Sequence, residues 1–129
     1  MLRTFILSLT ALLLTSACSD AEQKTGISKK TAMQYAKAEI KVPTIQCNSC
    51  ATNVENAVLD LEGVGEAEVN LKAKVVSVSF DDAKVVVADL ERTIAKAGYD
   101  ANETLRDSTA YAALDACCKI PEDGGGHAH

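Results

Sequence analysis

The apolar residues of 38–106 predict an α+β, ferredoxin-like βαββαβ sandwich: a four-stranded antiparallel sheet with two helices on one face. Three observations predict it. Apolar residues alternate with polar ones in several short runs, as half-buried strands require. Two longer runs repeat their apolar residues at helical spacing. The order of these runs is strand, helix, strand, strand, helix, strand, which buries one core in about 70 residues, small but sufficient.

Each element has its own signature. Ile40, Val42 and Ile45 alternate with polar neighbours as a first strand, which Cys47-Asn48-Ser49-Cys50 interrupts. Ala51, Val54, Ala57, Val58 and Leu61 then form a helical stripe opposite Asn53, Glu55, Asn56 and Asp60. Gly63 stops it, as glycine does just past a last turn. Ala67, Val69 and Leu71 make the second strand, Lys72-Ala73-Lys74 a turn, and Val76, Val78 and Phe80 the third strand. Val87, Leu90, Ile94 and Ala97 are a second helical stripe, stopped by Gly98, and Tyr99–Leu105 reads as a short last strand. Beyond it, residues 107–120 read as a C-terminal helix, capped by Ser108, with Tyr111, Leu114 and Cys118 on one face. Pro121 ends that helix, and 121–129 is a flexible Gly/His tail.

The N-terminus is of another kind. Residues 1–17 combine Arg3, an apolar run from Phe5 to Leu14 and the small residues Thr15-Ser16-Ala17, the pattern of a signal peptide. The apolar core is about ten residues long, too short for a bilayer span of roughly 20. Leu14-Thr15-Ser16-Ala17-Cys18 also resembles a bacterial lipoprotein box, with Thr15 where Leu is usual. That resemblance implies cleavage before Cys18 and lipid on its sulfur. Residues 18–37 then read as a polar tether between anchor and domain. The expected location is extracytoplasmic: held by lipid at the periplasmic or outer face of a membrane, or free in the periplasm without lipid.

Composition excludes some functions. The 129 residues carry 13 basic and 18 acidic side chains, net −5, and no Trp, which argues against a nucleic-acid partner. The only two histidines are His127 and His129 in the tail, which gives a hydrolase no ordered base and argues against an enzyme.

Chemistry points instead to the five cysteines. Cys47-x-x-Cys50 alone reads as a redox disulfide or as half of a metal site. Its place between a strand and an amphipathic helix puts Cys50 in the helix's first turn, where unpaired N–H groups and the helix dipole favour a thiolate. Two such sulfurs suit a soft ion of low coordination, Cu(I) or Hg(II), and leave the tetrahedral shell of structural zinc half filled.

Taken together, Ile45-Gln46-Cys47-Asn48-Ser49-Cys50, Gly63-Val64 through Val69 and Leu71, Val76-Ser77-Val78-Ser79-Phe80-Asp81 and Gly98-Tyr99-Asp100-Ala101 resemble the heavy-metal-associated domain family. That family includes copper chaperones, metal domains of copper-exporting P-type ATPases and the periplasmic mercury-binding protein. The resemblance implies Cys47 and Cys50 as the metal ligands and Tyr99 as a residue near the metal loop, either shielding it or half-buried at its rim. It also implies that Ile45 fills the space under the loop that a methionine fills in the family, and that Thr44 stiffens a position where glycine is common.

Cu(I) is the expected cargo, with Hg(II) and Zn(II) as alternatives; the neutral neighbours Gln46, Asn48 and Ser49 disfavour Zn(II). A thiol–disulfide oxidoreductase is the remaining reading. Expected partners are a metal-transporting membrane protein or another metal-binding domain, with the metal-free form a monomer. Cys117 and Cys118 bridge each other only with strain. They are therefore small buried apolar residues, disulfide partners of Cys47 or Cys50, or an auxiliary metal site that can lend a third thiolate. His127 and His129 are either a disordered end or a weak Cu(II) or Zn(II) chelate.

Overall fold

The computed structural model describes residues 35–125. The expected signal peptide, the expected lipid site Cys18, the expected tether up to residue 34, and His127 and His129 lie outside the described residues.

A three-stranded antiparallel sheet of order β1-β3-β2 is formed by β1 (Tyr35–Lys41), β2 (Val64–Asn70) and β3 (Val75–Asp81). The strand β1 takes in Tyr35–Lys37, which the sequence reading gives to the tether, because it pairs with β3 along its whole length, Tyr35 opposite Asp81 and Lys41 opposite Val75. Side chains alternate as the pattern predicts. Val76, Val78 and Phe80 are buried, while Ser77 is exposed on the opposite face.

Two helices, α1 (Asn48–Leu59) and α2 (Val87–Lys96), cover the apolar face. From α1 come Cys50, Val54 and Val58, and from α2 Leu90, Ile94 and Ala95, all buried. Each fully buried Val, Leu or Ile stabilises the fold by about 1.5–3 kcal/mol, so this layer holds the domain together. Asp89 reaches back to the Val86 N–H at 3.2 Å, satisfying one of the open donors at the start of α2.

The expected fourth strand is absent from the described residues. Ala101 and Thr104 instead bond to each other in both directions, at 2.9 and 2.8 Å, around Asn102 at φ +51°. That tight turn uses the backbone groups a strand would offer to β1. One backbone bond crosses to it, Asn102 N–H to the Lys41 carbonyl at 2.9 Å, and Leu105 is left 80% exposed.

The C-terminal helix is also shorter than expected. It is α3 (Ser108–Ala112), followed by single 3-10 turns at Ala116–Cys118 and Pro121–Asp123. Its cap is Asp107, whose carboxylate accepts from the Ala110 N–H at 2.8 Å, one residue before the expected Ser108. Pro121 opens the second 3-10 turn rather than closing a helix.

Candidate metal centre

The metal loop hangs from the end of β1. Lys74 accepts from the Val42 N–H at 2.8 Å and Val42 from the Ile45 N–H at 3.2 Å, which turns the chain upward into α1. Ile45 is fully buried beneath this turn. Thr44 does more than stiffen it: its hydroxyl accepts from the Asp100 N–H at 3.0 Å, tying the loop to a segment 56 residues away.

Cys47 is the residue before α1, in extended conformation, and Cys50 lies in the first turn. Their sulfurs are 3.3 Å apart. The 3-10 turn Ala116–Cys118 brings two more thiols to the same place. Cys117 Sγ is 3.7 Å and Cys118 Sγ 3.8 Å from Cys47 Sγ. All four are free thiols; Cys47, Cys50 and Cys118 are buried and Cys117 half-buried. The structure thus gathers the four cysteines on which the sequence reading left alternatives open, with none of them bridged.

The environments of the four thiols differ. Burial opposes ionisation of Cys47, but the Cys50 N–H and the thiols of Cys50, Cys117 and Cys118 pull it down to about 7. Burial pushes Cys118 up from the ordinary thiol range, and the nearby Cys50 sulfur adds to this. Contact with Cys47 raises Cys117. Cys47 is therefore drawn toward the reactive thiolate form, while Cys117 and Cys118 are held from it.

Tyr99 lies at full burial under this cluster, not at the rim. Burial raises its hydroxyl far above the usual value, so it stays a proton donor, and it faces Cys118. It also accepts from Asn53 Nδ2 at 3.1 Å. Asn53 escaped sequence reasoning because it sits on the polar side of the α1 stripe.

A second set, of which the sequence singled out only Tyr111, holds the C-terminal segment in place. Arg106 Nη1 pairs with Asp100 Oδ2 at 2.9 Å, and its guanidinium stacks on Tyr111, 4.2 Å from the ring centre. Tyr111 donates to Asp123 at 2.8 Å and accepts from the Ile120 N–H at 2.9 Å. Gly98, at φ +96°, lets α3 lie directly on the end of α2, where a Cβ would stand 3.0 Å from the Tyr111 backbone nitrogen.

Residues 39–100 match the sequence model of the heavy-metal-associated domain. A copper chaperone CopZ of Staphylococcus aureus is 41% identical over 61 residues, which is 47% of this chain and 90% of that protein. The chain belongs to the heavy-metal-associated domain family. A mercuric transport protein periplasmic component of Shewanella putrefaciens is 42% identical over 60 residues, 46% of this chain and 66% of that protein. Among solved structures, a CopZ metallochaperone superposes with a TM-score of 0.50 at 36% identity, over 51% of this chain and 98% of its own. Oxidized MerP from Ralstonia metallidurans CH34 superposes at 0.51 and 32% identity, over 53% of this chain and 94% of its own. The heavy-metal-associated match ends at residue 100, so Cys117 and Cys118 belong to a segment beyond it.

Proposed function

We propose that this chain is an extracytoplasmic soft-metal carrier, without enzymatic activity, that binds Cu(I) through the Cys47 and Cys50 sulfurs and passes it on. The observation that carries this is the 3.3 Å sulfur pair at the N-terminal end of α1, with Cys47 drawn down to about 7. A thiolate present at neutral pH can displace a donor's thiolate from the ion, and Cys50 then completes the pair. Similarity to a copper chaperone CopZ supports copper as the cargo. Export by residues 1–17 and a lipid on Cys18 would hold the carrier at the membrane, near a metal-transporting protein that receives the ion.

A second reading, capture of Hg(II), draws on the similarity to a mercuric transport protein periplasmic component and uses the same sulfurs. The test is anaerobic titration of the reduced chain with Cu(I), Hg(II) and Zn(II), read by native mass spectrometry. One tightly held Cu(I) is expected, lost in Cys47→Ser/Cys50→Ser. Undiminished Cu(I) affinity in that double variant overturns the reading. Retention of Hg(II) but not Cu(I) against a competing thiol selects the second one.

A further inference from the structure

The sulfur spacing at the loop is nearer to that of a three-coordinate ion than to that of a two-coordinate one. With a metal–sulfur bond of about 2.3 Å, sulfurs stand about 4.6 Å apart across a linear ion, about 4.0 Å in a trigonal shell and about 3.8 Å in a tetrahedral one. Here Cys47 to Cys50 measures 3.3 Å and Cys47 to Cys118 3.8 Å, and these three sulfurs all lie within 4.8 Å of one another. Opening the Cys47–Cys50 pair by about 0.7 Å brings it to the trigonal spacing, with Cys118 already close to that spacing from Cys47. Reaching linear geometry would need about twice that opening of the first pair, with the third sulfur still beside the ion.

Cys117 is placed differently. It reaches Cys47 at 3.7 Å and Cys118 at 3.9 Å, but the cluster that holds both loop sulfurs takes Cys118 as its third member, and Cys117 is half-buried at the rim. Cys118 is 1% exposed and points inward.

We propose that Cys47, Cys50 and Cys118 form a three-coordinate thiolate site for a single soft ion, the segment beyond residue 100 supplying the third arm. The proposal rests on the carrier reading above and deepens it. The third arm comes from outside the span that matches the family. It is anchored independently of metal by Asp100, Arg106, Tyr111 and Asp123. Three thiolates around a monovalent ion leave two negative charges. The open N–H groups of the first turn of α1 and the Tyr99 hydroxyl, which faces Cys118, are the donors that offset them. Loading from a two-thiol donor forms three metal–sulfur bonds on this chain and breaks two on the donor. Whatever protons these three sulfurs carry pass to the donor's sulfurs and to solvent. Release runs in reverse: an acceptor thiolate first takes the place of Cys118.

The test is X-ray absorption at the copper edge on the reduced full-length chain carrying one equivalent of Cu(I). Three sulfur neighbours are expected in the wild type and in Cys117→Ser, and two in Cys117→Ser/Cys118→Ser, with a shortened copper–sulfur distance. Far-UV circular dichroism verifies that the variants fold. Tight binding with two sulfurs in the wild type overturns the third arm and leaves the carrier reading intact. A fall to two in Cys117→Ser alone overturns the assignment to Cys118. Failure of the wild type to bind Cu(I) overturns the carrier reading itself.

Discussion

Replacing Arg106 with Gln should loosen the C-terminal segment and uncover Cys118 without disturbing the sheet. The Arg106–Asp100 pair is 2.9 Å long, with side chains only 23% and 16% exposed. A charge-assisted hydrogen bond of this kind is worth about 1.5–3 kcal/mol, and stacking on Tyr111 adds about 0.5 kcal/mol. The longer contact with Asp123, at 3.7 Å to a half-exposed carboxylate, adds little. Taking about 2.5 kcal/mol in all, and 1.4 kcal/mol per factor of ten, local opening should become about 60-fold more frequent. A thiol that reacts only in the open form is labelled in proportion to that population. The assay is iodoacetamide labelling of the reduced, metal-free chain, with Cys118 followed by peptide mass spectrometry. An acceleration below about threefold, with circular dichroism unchanged, would refute the idea that this cluster holds the segment down.

Other expectations follow from the same geometry. The rate of Cys47 alkylation in the reduced metal-free chain should rise through a midpoint near pH 7 and then level off, since the thiolate forms as pH passes the lowered value. At pH 7 about half of it is thiolate, against about 3% for a thiol near 8.5; a midpoint above 8 refutes the assigned environment. Gly98→Ala should lower stability to urea by about 2 kcal/mol, because φ +96° is strained for alanine and the new Cβ presses on the Tyr111 backbone. An unchanged denaturation midpoint would mean that α3 does not dock there. Tyr99→Phe keeps the volume but removes the hydroxyl that meets Asn53 and Cys118, and should cost about 1 kcal/mol in the same assay.

Much of the layer that carries the loop could be read from periodicity. Val54 and Val58, Val76 to Phe80, and Leu90 with Ile94 bury where their spacing puts them, because each stripe needs only one apolar neighbour layer. The last strand could not be read so well. Tyr99–Leu105 has acceptable strand composition, but Asn102 at positive φ and the Asp100 carboxylate, which accepts from the Arg106 N–H at 2.8 Å, fold it into a turn instead. Local side-chain bonds of Asn and Asp outcompete the ladder there. The meeting of Cys118 with Cys47 could be read only as one of several alternatives, for a different reason. It depends on Arg106, Tyr111 and Asp123 docking a segment that has no strong period of its own. The one signal in the chain was the adjacency of Cys117 and Cys118, two thiols unable to satisfy each other without strain.

Cys47 and Cys118 lie 71 positions apart, yet their sulfurs nearly touch. An ion shared between them would act as a removable cross-link closing almost the whole domain into a ring. By loop-closure entropy, a tie of that length disfavours the unfolded chain by about 4 kcal/mol. A pair three residues apart closes almost no loop and gives little of this. Occupancy would then be written into the lifetime of the fold: the loaded chain would resist proteases that trim the empty one. In a compartment rich in proteases, survival itself would select for copies carrying their cargo.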